Sequence, residues 1–311
     1  MKEKTFKKIV IAGAGLMGAS IAQIFPQYGY ETTIYSNREQ DFQRAKEIIA
    51  NCQNTLIENN IIADKLSQEV QKSIIYTTDL ETAFKEADLI IEAIPEVFEI
   101  KVDFFRKISD IIPEDSIVAT NTSAISINDL AENISNPQRF CGTHWLNPPH
   151  IIPLVEIVKS NNTAELVVDS LLTLLKSINK KPVVLKKDIK GFLSNRLQFA
   201  LLREAAYLVE NDVATPEDID NTLKYGNGIR YACSGPFKIV DLGGIEVFNN
   251  VAKYLFPVLS KETEVCKLLN EMAEKDYNGI SNGQGFYQYT EESALKEEEQ
   301  RDKKMIKILE F

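Results

Sequence analysis

Lys8-Ile9-Val10-Ile11-Ala12-Gly13-Ala14-Gly15-Leu16-Met17-Gly18 is the stretch that decides the fold. Ile9 to Ala12 is a short unbroken apolar run ending at glycine, which reads as a strand buried on both faces. The residues after it, Leu16 to Phe25, are small and apolar and suit a helix lying close on a sheet, with Gly29 closing it. Between strand and helix stands G-x-G-x-x-G. Its first glycine permits a tight turn, its second lets backbone approach a pyrophosphate, and its third allows close helix-sheet packing. In this strand-turn-helix context Gly13, Gly15, Leu16, Met17 and Gly18 are candidate dinucleotide-binding residues.

Working outward, Glu31 to Tyr35 is β-branched and aromatic and is the second strand. Further strands are expected at 73–77, 88–93 and 116–120, separated by helical stretches such as Ile100 to Ile111. This alternation predicts an α/β fold, a Rossmann-type doubly wound sheet with helices on both sides. Segments 139–145 and 154–159 extend the sheet, and 182–185 ends it. After Lys187 the pattern turns helical. Leu197, Ala200, Leu201, Leu208 and Val209 recur at mostly helical spacing, and Thr215-Pro216-Glu217-Asp218 is a helix start, with breaks expected at 226–235 and 278–285. The expected division is a dinucleotide-binding domain over 1–187 and a smaller all-helical domain over 188–311. The charged tail from Glu291 to Lys304 reads as a solvated helix.

Composition narrows the function. A formal net charge of −10 argues against a nucleic-acid partner, which needs a concentrated basic face. Lys180, Lys181, Lys186, Lys187 and Lys190 form a basic cluster that is either a solvated rim or a landing site for a phosphorylated substrate. No run is long and apolar enough to span a membrane, and Met1-Lys2-Glu3-Lys4 leads into Ile9 without a signal-peptide pattern, so a cytoplasmic location is expected. Cys52, Cys141, Cys233 and Cys266 are scattered and read as mostly buried thiols, with neither a disulfide framework nor a metal site indicated.

The chain has only two histidines. His144 lies in Gly142-Thr143-His144-Trp145-Leu146-Asn147-Pro148-Pro149, and Glu156 follows twelve positions later. A carboxylate on the second imidazole nitrogen fixes the tautomer and stabilises the imidazolium, which suits a proton acceptor at an alcohol carbon. The same histidine could instead be a buried residue satisfied by a backbone carbonyl. Asn147-Pro148-Pro149 turns the chain so that the two strands lie side by side, and His150, in that turn, is expected to be exposed and is the weaker candidate. At the end of the second strand, where NAD enzymes carry an acid, stand Ser36-Asn37-Arg38. With no carboxylate available there, Arg38 could pair with a 2′-phosphate, which favours NADP over NAD; Arg38 could equally be the first exposed residue of the next helix.

With these features the chain resembles the L-3-hydroxyacyl-CoA dehydrogenase family along nearly its whole length. The matching motifs are Asp88-Leu89-Ile90-Ile91-Glu92-Ala93-Ile94-Pro95-Glu96 with Lys101, Thr120-Asn121-Thr122-Ser123, Gly191-Phe192-Leu193-Ser194-Asn195-Arg196 and Gly283-Gln284-Gly285-Phe286-Tyr287. The resemblance implies that His144 is the general acid/base, with Glu156 as its partner. It implies that Ser123 contacts the reacting oxygen, that Asn195 orients substrate and histidine, and that Glu96, Lys101 and Asn121 serve the cofactor. It also implies a homodimer formed through the helical domain. The segment Gly226 to Pro236 departs from the CoA-ester branch and is more similar to the branch with gulonate and carnitine dehydrogenases. A buried Arg230 could clamp a free carboxylate there, or form an interface ion pair. Against this, residues 43–72 stand where CoA-using relatives carry a helical hairpin. The expected reaction is NAD(P)-dependent oxidation of a 3-hydroxyacyl-CoA, or the reverse reduction, with a free 3-hydroxy acid as the alternative substrate; a cofactor sensor or a structural protein of the same fold are the non-enzymatic alternatives.

Overall fold

The computed structural model describes residues 4–309, so Met1–Glu3 of the amino-terminal segment lie outside it. The chain forms two compact units, one running to Asn195 and the other starting at Arg196. In the first, β1 (Lys8–Ala12), β2 (Glu31–Tyr35), β3 (Ile75–Thr77), β4 (Leu89–Glu92), β5 (Ile117–Thr120), β6 (Phe140–Trp145), β7 (Leu154–Lys159) and β8 (Lys181–Leu185) make one sheet. Its order is β3-β2-β1-β4-β5-β6-β7-β8.

The strands read as unbroken apolar runs because both faces are covered. Alternate residues of β1 go opposite ways: Ile9 and Ile11 join one core, Val10 and Ala12 the other. The first core is closed by α1 (Leu16–Ala22), α2 (Asp41–Glu58) and, from later in the chain, Glu165–Ser177. The second is closed by residues of Leu80–Phe84, Phe98–Ser109 and Ile127–Ala131. With α3 taken as Asp64–Ser73, these four later helices are α7, α4, α5 and α6 in chain order.

The first six strands are parallel, but β7 runs antiparallel to β6 and β8 follows β7. The physical reason is connection length: residues 146–153 contain no crossover helix, and so short a link joins only antiparallel neighbours. Pro182 is tolerated in β8 because that strand is an edge.

The second unit is helical: α8 (Ser194–Glu210) leads into α9 (Pro216–Thr222), α10 (Gly228–Cys233), α11 (Pro236–Gly243), α12 (Ile245–Leu255), α13 (Lys267–Glu274) and α14 (Glu291–Leu309). Thr215 caps α9 as its sequence predicts, accepting from the Asp218 N–H while the Asp218 carboxylate accepts from the Thr215 N–H. The break expected at 226–235 is largely helical instead. A wide π-type turn over Leu223–Asn227 runs into α10, and a Cβ at Gly228 would lie 2.5 Å from the Leu223 carbonyl oxygen, so glycine serves the tight turn rather than ending the helix.

Candidate active site

His144 and Glu156 meet because β6 and β7 pair with these two residues directly opposite each other. Opposed residues project from the same face of a sheet. His144 Nδ1 lies 2.7 Å from Glu156 Oε2. A carboxylate only accepts, so Nδ1 carries the proton and Nε2 keeps its lone pair, 3.1 Å from Ser123 Oγ at the end of β5. The other carboxylate oxygen, Oε1, accepts from the backbone N–H groups of Leu193 (3.0 Å) and Ser194 (2.9 Å). Burial alone would raise the Glu156 carboxyl; the hydrogen bonds from His144, Ser194 and Leu193 outweigh it and hold the group below the usual carboxylate range.

Those two N–H groups are aimed by consecutive left-handed residues, Gly191 (φ 78°) and Phe192 (φ 49°). For phenylalanine this conformation costs about 1–2 kcal/mol. The Phe192 ring, fully buried, lies 5.4 Å from the imidazole and closes one side of it. Asn195 follows at the start of α8, its Nδ2 donating to the Ser123 carbonyl oxygen at 3.4 Å, the long end of hydrogen bonding. His144, Glu156, Ser123 and Asn195 are thus brought together, with Phe192, named in the sequence only as part of a motif, packed against the imidazole.

A second set of charges fixes the serine turn. Glu92, fully buried at the end of β4, accepts from Lys101 Nζ (2.5 Å), Thr120 Oγ1 (2.5 Å) and the Ile94 N–H (2.8 Å). Lys101 is itself buried and also reaches Glu96 at 3.2 Å. Glu96 in turn accepts from the Thr122 hydroxyl and from the backbone N–H groups of Ser123 (2.9 Å) and Ala124 (3.2 Å). Burial pushes Glu92 up; for Glu96 burial acts the same way but loses to the Thr122 bond and the Lys101 charge, so its carboxyl sits low. Asn121 Oδ1 accepts from the Trp145 N–H at 2.9 Å, tying β5 to the strand that carries His144. Lys101 and Asn121 therefore spend these polar atoms inside the protein, and Glu92 is a participant that the sequence reading passed over.

The dinucleotide end is a cleft of about 800 Å³ lined by Gly13 to Met17, the residues after β2 and Ala93 to Pro95. It opens where strand order reverses between β1 and β4, the crevice in which such sheets bind nucleotides. Gly13 has φ 121°, and a Cβ there would sit 2.4 Å from the Ala93 carbonyl oxygen; one at Gly18 would sit 2.0 Å from the Gly13 oxygen. Gly15 instead faces open space, a bare backbone rim on the cleft, which fits a pyrophosphate. From β4 to β6 is two strand spacings, about 10 Å, so the cleft and His144 lie along one row of strand ends.

The expectation that no carboxylate is available after β2 is overturned. Asp41, the first residue of α2, folds back so that its Oδ2 accepts from Ser36 Oγ (2.7 Å) and Arg38 Nε (3.2 Å), and its Oδ1 from an Arg38 terminal nitrogen (2.8 Å). The acid is six positions beyond the strand, close in space but out of register for a strand-end motif.

Other expectations need correcting. Arg230 belongs to the helical unit and its side chain is exposed on α10 rather than buried. His150, within the 146–153 turn, is half-buried rather than exposed, with both ring nitrogens shielded from solvent. Cys233 is exposed, unlike Cys52 and Cys141. The basic cluster is not a uniform rim: Lys180 is buried, donating to the carbonyl oxygens of Pro149 (2.5 Å) and Ile152 (3.1 Å), and burial pushes its amine down to about 8. It staples the turn between the His144 and Glu156 strands. Because the folded value lies below the ordinary 10.5, the unfolded chain holds the extra proton between them. Stability should therefore rise with pH from about 8 to 10.5 relative to a Lys180→Met variant, as denaturant midpoints would read. Among the described residues no helix is long and apolar enough to cross a membrane, and no group of three or more His, Cys, Asp or Glu is placed to hold a metal ion.

Comparison with known proteins gives the arrangement a family. Residues 8–189 match the family model described as the 3-hydroxyacyl-CoA dehydrogenase NAD binding domain, and residues 191–289 match that of the C-terminal domain. The chain is 35% identical to 5-formyl-3-hydroxy-2-methylpyridine 4-carboxylate 5-dehydrogenase of Mesorhizobium japonicum, over 97% of both chains. It is 31% identical to a probable 3-hydroxybutyryl-CoA dehydrogenase of Deinococcus radiodurans, over 91% of this chain and all of that one. A crystal structure of a 5-formyl-3-hydroxy-2-methylpyridine 4-carboxylic acid 5-dehydrogenase, described as an NAD+-dependent dismutase, superimposes with a TM-score of 0.91 at 34% identity, covering 98% of this chain and 97% of that one. The chain belongs to the 3-hydroxyacyl-CoA dehydrogenase family and is an NAD(P)-dependent oxidoreductase acting on a CH–OH group.

Proposed function

We propose that the protein interconverts a hydroxy acid bearing a free carboxylate and its oxo form, with His144 as general acid/base. The observation that carries the acid/base role is the Nδ1 hydrogen bond to Glu156, which leaves Nε2 free to take a hydroxyl proton. Bound NAD(P) supplies or accepts the hydride. Ser123 and Asn195 hold the reacting oxygen as charge develops on it, the glutamate braces the imidazole, and the Glu92, Lys101 and Glu96 charges keep the serine turn in place. Gly13, Gly15, Leu16, Met17 and Gly18, with Ser36 and Arg38, line or flank the nucleotide.

The free-carboxylate reading is supported by the Mesorhizobium relative, which is named for a pyridine carboxylate, and by the Arg230 segment of the sequence. A CoA thioester is the second reading, supported by the Deinococcus relative and by the α2–α3 hairpin, two helices joined by residues 59–63 where CoA-using relatives carry one. Following cofactor absorbance with a panel of 3-hydroxy acids, pyridine carboxylates and 3-hydroxyacyl-CoA esters decides between them; turnover confined to the CoA esters would sink the first. The expectation that Arg230 serves the carboxylate is open to a direct test. Arg230→Met should raise KM for free acids about tenfold, the loss of a charged hydrogen bond, with kcat little changed; an unchanged KM removes that role. The helical unit exposes Phe237, Leu242, Ile245, Tyr254 and Phe256, each at least two-thirds accessible, which supports a homodimer through this unit.

A further inference from the structure

We infer that Asp188 is a positioning residue for the proposed reaction, tying the segment that steadies Glu156 and carries Asn195 to the turn that carries Ser123. The inference rests on the reading that Ser123 and Asn195 hold the reacting oxygen. Residues 186–193, between β8 and α8, are an irregular stretch that closes in a turn. β8 is parallel to β7 with Val183 opposite Glu156, so the chain passes the level of that glutamate and doubles back before the Leu193 and Ser194 N–H groups meet it. Such a strap has the conformational freedom of a loop unless polar bonds fix its course. One such bond lies inside it, from the Phe192 N–H to the Ile189 carbonyl oxygen at 3.0 Å. Its two ends are fixed from outside.

Asp188 is the anchor at the first end. Its Oδ2 accepts from the Ser126 hydroxyl (2.8 Å), the Asn128 N–H (3.1 Å) and the Asn128 side-chain amide (3.3 Å), groups 60 and 62 positions earlier in the chain. A cap for α6 does not require this carboxylate, because Ser126 already caps the helix, its Oγ accepting from the Asp129 N–H at 3.2 Å. What the carboxylate adds is a cross-link. On the turn side, the Thr122 hydroxyl accepts from the Ile125 N–H at 3.0 Å, so Ser123 and Ser126 belong to one closed turn. Asn128 in turn accepts from the Asn161 N–H at 2.7 Å, just past the end of β7, which fixes the cross-link against the strand that carries Glu156. At the second end the strap returns to the same turn through the Asn195 amide and the Ser123 carbonyl oxygen. Without Asp188 that 3.4 Å bond carries more of the tie between strap and turn, and the groups around the reacting oxygen can drift apart. Misplacement by about 1 Å is worth up to about 10²-fold in rate.

The test is a double-mutant cycle on the full-length protein, run with whichever compound of the substrate panel is turned over fastest. Asp188→Ala should lower kcat about 10- to 100-fold while KM and NADH affinity stay within about threefold. Asp188→Asn, whose amide oxygen can accept from the same three donors, should keep kcat within about threefold of the wild type. In a Ser123→Ala background Asp188→Ala should cost at least about threefold less than it does alone, because the group it positions is already gone. Ser126→Ala, which removes the shortest of the three bonds from the turn side, is the second variant should Asp188→Ala not fold, and it should lower kcat with NADH affinity unchanged. An Asp188→Ala enzyme within about threefold of wild type, an Asp188→Asn enzyme as impaired as Asp188→Ala, or the same cost in both backgrounds overturns the inference. Normal turnover by Ser123→Ala removes the oxygen-holding reading beneath it as well, whereas a damaged Ser123→Ala beside an undamaged Asp188→Ala removes the inference alone.

Discussion

His144→Gln is expected to cut turnover at least about a hundredfold, within the roughly 10² to 10⁴ that a positioned general acid/base contributes, while NADH affinity stays within about twofold. The amide fills nearly the same space but cannot take up and return a proton. The two readouts separate because the nucleotide cleft is lined by Gly13 to Met17, the loop after β2 and Ala93 to Pro95, and His144 is not among its lining residues. Stopped turnover with unchanged NADH binding supports the assignment; turnover within a few-fold of wild type would refute it. Truncation to alanine is the less clean experiment, since His144 is 4% exposed and faces the Phe192 ring, so a void there would disturb the strand as well.

The second large effect is expected at Glu156. Glu156→Gln keeps the acceptor that receives the Leu193 and Ser194 N–H groups but turns an NH₂ toward Nδ1. Facing a donor, the imidazole adopts the other tautomer, its proton moves to Nε2, and the lone pair beside Ser123 is lost. Turnover should fall by about 10² to 10⁴ through the misplaced proton, and stability by about 1.5–3 kcal/mol through the lost charged hydrogen bond. The pH dependence carries a sign that a structural lesion would not mimic. The folded carboxyl lies below its ordinary 4.5, so the unfolded chain binds the proton first as pH falls. The stabilisation is therefore present in full above about 4.5 and disappears as pH drops through the folded value. Denaturation curves of wild type and variant should be well separated at pH 7 and draw together as pH falls below 4.5; curves that stay equally far apart would show that ionisation of Glu156 contributes nothing.

The sheet, the glycine turn and the side-by-side placing of the His144 and Glu156 strands are legible in the sequence because each rests on local pattern. Ile9 to Ala12 announces a two-sided strand by composition alone, the glycines of 13–18 by their steric requirements, and Pro148-Pro149 by interrupting the pattern between two strand-like runs. The direction of β7 was not stated by composition; it follows from the shortness of the 146–153 link. The exposed Arg230 and half-buried His150 show the converse, since residue type sets a preference for burial and the packing of neighbouring elements decides it.

Sequence by itself determined the layered α/β architecture and the helical second unit, because periodicity and turn chemistry act between residues near one another in the chain, while Ser123 and Asn195 were singled out by the family resemblance. Only the tertiary structure decided which acids meet which bases. Asp41 reaches Ser36 and Arg38 through a curl of the backbone, Glu92 and Glu96 share Lys101 from the next helix, and Lys180 leaves its basic neighbours to pin the turn beside Trp145. Such pairings depend on distances of a few ångströms between elements far apart or out of register in the chain, and charge-charge energies change several-fold over that range and with burial, so no count of charged residues anticipates them.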